Sequence, residues 1–263
     1  MKKQEKKSNS ATPFIIMGGV LAVVIGAIAY GTGMFGSGSK NTTITPANSS
    51  AANAAANRAA QAAANAPLGA PLGVNMIGNA SAAVTVEEFA DFQCGGCAAS
   101  HPVLKELQAA YAGNRNFRFI FRHFPLSIPA HDKAYSAALA TEAAGLQGKF
   151  WQMQDILFRN QAEWSGAPNF SELWEGYARS IGMDVERFKA DMKSSALSSR
   201  VDADMMRGRG LGVTSTPTIL VNGQMVPANI TALRAAVDAA MQQVSQASSQ
   251  ATANTGASSN SAK

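Results

Sequence analysis

Between residues 75 and 243 the apolar positions switch between two periods, and the switches outline the elements. Residues 83–90 (Ala83-Val84-Thr85-Val86-Glu87-Glu88-Phe89-Ala90) have a strand pattern. From Cys97 to Tyr111 the period becomes helical, with Val103, Leu104 and Leu107 on one face. Pro102 inside that run predicts a kink. Residues 116–122, rich in β-favouring aromatics, form a second strand that stops near Pro125. Strand, helix and strand make a βαβ unit, with a parallel pair and a right-handed crossover. A long helical stretch follows, about 130–209, divided into three or four helices at Gly145–Gly148, Gly166–Pro168 and Gly182, with Asp184 as an N-cap. Thr218-Ile219-Leu220-Val221 is a strand, Asn222-Gly223 a hairpin turn and Gln224-Met225-Val226 the return. A helix from Ile230 to Val244, with Leu233, Val237 and Met241 on one face, closes the body.

The ends read differently. Residues 1–13 are a basic tail holding Lys2, Lys3, Lys6 and Lys7, expected to be cytoplasmic. Residues 14–35 are uncharged and apolar; at about 1.5 Å per residue they span roughly 30 Å as a helix, enough for a bilayer. Two readings fit: a retained transmembrane signal anchor, or a signal peptide cleaved near Ala27-Ile28-Ala29. Both predict a body outside the cytoplasm: membrane-tethered and periplasmic in the first case, soluble periplasmic or secreted in the second. Residues 36–74, rich in Ala, Asn, Gly and Ser, predict a disordered linker, with transient helix in 51–66. Residues 244–263 predict a disordered tail. The folded domain is 75–243.

Charge follows the same division. Of 22 Lys/Arg and 17 Asp/Glu, 15 and 16 fall within 75–240, leaving 7 and 1 outside. The formal charge of +5 therefore belongs to the ends. The body has no basic surplus to attract nucleic acid.

The chain has 2 cysteines, Cys94 and Cys97, at the junction of the first strand and its helix. C-x-x-C spacing serves dithiol redox chemistry and also metal ligation. An inert structural disulfide would close too short a loop to contribute much stability. A helix starting at the pair puts Cys94 at the positive end of the dipole, facing unpaired amides, and Cys97 one turn deeper. Cys94 is then the attacking thiol and Cys97 the resolving thiol. Gly95-Gly96 leaves those amides unobstructed but weakens the first turn by about 1 kcal/mol per glycine. His101, four residues after Cys97, reads as a structural or surface residue, and Asp91 as a turn or cap residue. His123 and His131 lack a ligand spacing with the cysteines. Phe150, Trp151, Phe158, Trp164, Phe170 and Trp174 read as the core of the helical region. Thr216-Pro217 precedes a strand, where an ordinary trans proline is the default.

Several separated stretches carry a resemblance to the DsbA-like branch of the thioredoxin superfamily. They are Glu88-Phe89-Ala90-Asp91-Phe92-Gln93-Cys94, Phe124-Pro125-Leu126, Gly148-Lys149-Phe150-Trp151-Gln152-Met153 and Gly212-Val213-Thr214-Ser215-Thr216-Pro217-Thr218. The resemblance implies an α/β, thioredoxin-like fold with a helical insertion between the βαβ unit and the C-terminal β-hairpin and helix. It implies a cis Thr216-Pro217 bond beside the cysteines, with Thr216 and Pro217 binding substrate backbone. It also suggests Glu88 as a buried proton relay for Cys97; a solvated strand carboxylate is the alternative. The implied activity is disulfide exchange with cysteine-containing exported client proteins, as a dithiol oxidase, followed by reoxidation by a membrane or soluble partner. No cofactor beyond the Cys94–Cys97 disulfide is implied. Gly95-Gly96 departs from the branch's usual Pro and His or Tyr, which leaves the redox potential open. A reductase or isomerase, or a Cu(I)-binding assembly factor using both thiolates, are the rival readings.

Overall fold

The computed structural model describes residues 47–260. The basic tail and the apolar run 14–35 lie outside the described residues. Among the described residues no helix is long and apolar enough to cross a membrane.

Five strands form one mixed sheet: β1 (Met76–Gly78), β2 (Val84–Ala90), β3 (Phe117–His123), β4 (Thr218–Val221) and β5 (Gln224–Val226), in the order β1-β3-β2-β4-β5. β2 and β3 are parallel, with Val84 opposite Phe117 and Glu88 opposite Phe121. The other pairs are antiparallel. Helix α2 (Gly95–Ala110) is the crossover between β2 and β3 and continues through Pro102, which the sequence predicts as a kink. β1 was too short to show in the periodicity; its three residues pair with Arg118, Phe119 and Ile120.

The helical insertion divides more finely than its glycines predict. It contains α3 (Ala134–Gly145), α4 (Phe150–Arg159), α5 (Gln161–Trp164), α6 (Phe170–Ser180), α7 (Val185–Asp191) and α8 (Ser195–Gly210). The expected breaks are present, and Asp184 caps α7 by accepting from Arg187 N at 3.0 Å. The additional breaks fall at Asn160 and at 192–194, where no glycine or proline marks them.

Alternation along the strands assigns the two sheet faces. Val84, Val86, Ala90, Phe117, Phe119, Phe121, Ile219 and Val221 join Leu104 and Leu107 of α2, Phe150, Met153 and Leu157 of α4, and Leu233 and Val237 of α9 (Ile230–Asn260) in the main core. Trp164 and Trp174 are buried there with ring centroids 5.3 Å apart, as the core reading of the insertion aromatics expects. The opposite face has a smaller core of Phe89, Phe124, Val213 and Leu220. Gly208 lets α8 lie directly on it: a Cβ there would stand 2.6 Å from Phe124 Cε2.

Both ends of the domain differ from expectation. Residues 47–65, placed by composition in a disordered linker, form helix α1 (Ala47–Asn65). Alanine has the highest helix propensity, and the run is dense in it. The following residues form a strap over the second face. Ala66 and Ala70 are buried. Arg207 Nη1 donates to Pro67 O at 2.9 Å, Arg122 Nη1 to Ala70 O at 2.9 Å, and Ala70 N to Asp204 Oδ1 at 2.8 Å. At the other end α9 runs past Val244 to Asn260, where composition predicts a tail without structure.

Candidate active site

The redox pair sits where β2 hands over to α2. Asp91 makes the turn: its Oδ1 accepts from Gln93 N at 2.7 Å and its carbonyl from Cys94 N at 3.1 Å. Cys94 is the N-cap, with extended backbone (φ −74°, ψ 117°), and its carbonyl accepts from Cys97 N and Ala98 N. Both cysteines are free thiols. Cys94 is partly exposed; Cys97 is fully buried among Ala90, Phe92 and the α2 core.

This placement separates the two acidities. A hydrogen bond from Cys97 favours the Cys94 thiolate most, outweighing partial burial; Thr216 and the amides of Cys97 and Gly96 add to it, and the Cys94 pKa falls from 9.0 to about 5. Donating to Cys94 raises the pKa of Cys97, as do burial and the nearby charge of Glu88. Cys94 at the helix start and Cys97 one turn deeper thus differ in both exposure and acidity.

The Thr216-Pro217 bond is cis. It brings Thr216 O to 3.3 Å from Cys94 Sγ. Pro217 Cδ lies so close to Gly96 that a Cβ on that glycine would stand 3.2 Å away. The Thr216 hydroxyl is buried with no hydrogen-bond partner, and its nearness to Cys94 favours the thiolate.

Glu88 lies on the main-core face of β2. It is 1% exposed, its Oε1 has no hydrogen-bond partner, and burial raises its pKa to about 8. The solvated alternative is thereby removed. Asp91 does more than turn the chain: its Oδ2 accepts from Leu126 N at 2.8 Å and lies 2.7 Å from His131 Nδ1, while its amide faces Cys97 Sγ at 3.5 Å. His101 is a core histidine, with Nε2 3.0 Å from Asp155 Oδ1 and its ring 5.0 Å from Phe158. His123 is buried against Glu142 at 3.1 Å.

The family model Thioredoxin_4, described as thioredoxin, matches residues 73–239. The chain belongs to the thioredoxin family. Among solved structures, a thioredoxin-like oxidoreductase from Silicibacter pomeroyi DSS-3 is 27% identical with a TM-score of 0.53, covering 66% of this chain and 92% of that one. DsbA2 from Pseudomonas aeruginosa is 26% identical with a TM-score of 0.51, covering 65% of this chain and 95% of that one. BdbD from Bacillus subtilis shares the fold at 21% identity and a TM-score of 0.57, covering 68% of this chain and 100% of that one. The resemblance to the DsbA-like branch thus holds, and the fold with its paired dithiol is that of a protein thiol-disulfide oxidoreductase. Among curated relatives, the Na(+)/H(+) antiporter NhaA 1 of Salinispora arenicola is 37% identical over 165 residues, 62% of this chain and 24% of that protein. This thioredoxin-family chain spans about a quarter of that protein's length.

Two glutamines of the site were given no role from the sequence, although Gln93 lies within the Glu88–Cys94 stretch that carries the resemblance. Gln93 Oε1 accepts from Lys133 N at 2.6 Å, and its Nε2 donates to Ser165 Oγ at 3.1 Å and Asp132 Oδ1 at 3.3 Å. Gln161 Nε2 donates to Phe92 O at 2.7 Å and Cys94 O at 3.0 Å. Their partners are mainly backbone groups and residues far along the chain, which periodicity does not register.

Proposed function

We propose that this protein is an extracytoplasmic dithiol oxidase for cysteine-containing exported proteins. The observation that carries the reading is the asymmetry of the pair: a partly exposed Cys94 at the helix start, with its pKa near 5, and a buried Cys97 whose acidity the buried Glu88 influences. A depressed thiolate pKa makes Cys94 a good leaving group and favours the dithiol form, which makes the disulfide oxidising.

In the oxidised protein a client thiolate attacks Cys94 Sγ. The Cys94–Cys97 bond breaks, a Cys94–client mixed disulfide forms, and Cys97 leaves with the electron pair. Glu88, protonated near neutrality, gives Cys97 its proton. A second client thiolate then attacks the client sulfur of the mixed disulfide and releases Cys94 as its stabilised thiolate. The client is oxidised by two electrons and this protein is reduced to the dithiol. Thr216 and Pro217 align the client backbone beside Cys94. A membrane or soluble partner reoxidises the dithiol. The lysine-flanked run 14–35 supports a domain outside the cytoplasm: tethered in the membrane if the run is retained, soluble periplasmic or secreted if it is cleaved.

The test is the equilibrium of the protein with glutathione, together with oxidation of a reduced dithiol peptide. A potential between about −120 and −200 mV with peptide oxidation is expected. A potential near −270 mV with efficient insulin reduction would reverse the direction. Tight Cu(I) binding without disulfide exchange would replace the reading with a metal-transfer role.

A further inference from the structure

The first turn of α2 has little local stiffness. Gly95 and Gly96 have no side chains to restrict them, and nothing lies within 4 Å of a Cβ built on Gly95. The turn is nevertheless held, and the restraint comes from outside the helix. One side-chain amide, that of Gln161 in α5, reaches the carbonyls of both Phe92 and Cys94. An amide NH2 has two donors, one for each carbonyl. The residue between those carbonyls, Gln93, is fixed by the same insertion through Lys133 N, Asp132 and Ser165. The Cys94 carbonyl that Gln161 holds is also the acceptor that closes the first turn, for Cys97 N at 3.0 Å and Ala98 N at 3.2 Å.

We propose that Gln161 is the positioning residue of the attacking sulfur: by bridging Phe92 O and Cys94 O it supplies, from the helical insertion, the rigidity that Gly95-Gly96 withholds. Its amide touches neither sulfur in this arrangement. It acts by keeping the Cys94 backbone oriented so that the sulfur stays over the amides of Gly96 and Cys97 and beside Thr216. The insertion is thereby a working part of the redox site as well as its cover. The inference rests on the disulfide-exchange reading for its purpose, but its geometry stands independently.

The test uses the full chain with Gln161→Met, which keeps length and volume and removes both donors. Three measurements are taken: absorbance of the Cys94 thiolate against pH, the equilibrium constant with glutathione, and the thermal midpoint. Loss of about one hydrogen bond's worth of orientation predicts a roughly fivefold fall in thiolate fraction below the midpoint and a similar shift of the equilibrium toward the protein disulfide. Adding Gly95→Ala, for which there is open space, restores part of both shifts by stiffening the same turn. A lowered thermal midpoint with titration and equilibrium unchanged makes Gln161 a packing residue and overturns the proposal. So does a shift that Gly95→Ala leaves untouched. If the wild-type dithiol exchanges with no disulfide at all, the oxidase reading fails, and the thiolate titration still decides the role of Gln161.

Discussion

Glu87 and Glu88 are neighbours on β2, are both buried, and behave in opposite ways. Glu87 faces the second side of the sheet, where Arg207 Nε and Nη2 donate to its two oxygens at 2.8 and 2.7 Å and Arg122 Nε donates at 3.0 Å. Burial alone would raise its pKa, but the hydrogen bonds and charges of Arg207 and Arg122 outweigh that and hold it below the ordinary 4.5. Glu88 faces the main core, has no cation, and is raised to about 8. A shift of one residue in strand register exchanges the two environments. Equal burial thus yields a permanent anion on one face and a proton reservoir on the other. The first anchors structure, because both arginines also hold carbonyls of the strap. The second has no hydrogen-bond partner for its Oε1, and its charge is one of the influences that raise the pKa of Cys97.

Breaking the anchored side has the largest expected effect. Glu87→Ala leaves Arg207 without the carboxylate it pairs with and Arg122 with Asp204 alone. Removing one partner of a buried ion pair costs about 3–5 kcal/mol. Urea unfolding at neutral pH should show that loss, while the Cys94 titration of the folded protein stays in place. If the titration moves with stability, the two faces are not separable.

The proton-reservoir side is sharpened by pH. Unfolded, Glu88 titrates near 4.5; folded, near 8. Between those values the native state keeps a proton that the unfolded chain has lost, so stability falls as pH rises and levels off above about 8. Glu87 has the opposite sign: its contribution is complete above about 4.5 and is lost as pH falls through its depressed folded pKa. Glu88→Gln should match the wild type near pH 4 and exceed it by roughly 2–4 kcal/mol at pH 8, after allowance for relaxation around a buried carboxylate. Both proteins must be compared as dithiols, because Cys94, lowered from 9.0 to about 5, adds stability as pH rises across that interval. The same substitution should slow peptide oxidation on the order of a hundredfold, through loss of the proton donor to Cys97. Parallel stability curves for the two proteins would place the Glu88 pKa in the ordinary range and remove the contrast.

Legibility in the sequence follows the same division. Strands β2 to β5, the start of α2 and the redox pair were readable because each announces itself locally, by alternation, a hairpin turn or paired cysteines. Glu88 was legible only through resemblance, since a carboxylate between Val86 and Ala90 has no local sign of burial. The anchored face was not legible. Residues 66–73 lack a large buried apolar set, and what holds them is Arg122, Asp204 and Arg207, between 52 and 140 residues away. Helix α5 is four residues long, too short for a period to show, yet it carries Gln161. Composition predicts little core in 36–74; it could not register that buried guanidiniums need carbonyl acceptors and find them at Pro67, Leu68 and Ala70.

The smallest effects come from three glycines, one in the strap and two at the dithiol. Gly69 in the strap has φ +75°, and a Cβ there would stand 2.8 Å from Arg122 Nη1, 2.9 Å from Arg207 Cδ and 3.0 Å from Asp204 Oδ1. A left-handed conformation and crowding against the ion cluster together make Gly69→Ala cost about 2 kcal/mol. Gly95, at the dithiol, has open space around its Cβ position, so Gly95→Ala should gain up to about 1 kcal/mol from helix propensity. Gly96 lies between them in constraint, with Pro217 Cδ at 3.2 Å from the added carbon, so its alanine variant should change stability least. Thermal unfolding of the three dithiol proteins ranks them. The order Gly95→Ala above Gly96→Ala above Gly69→Ala supports a clamped strap and a locally loose redox turn. A neutral Gly69→Ala would mean that the strap yields, and that Arg122 and Arg207 are held by their carboxylates without it.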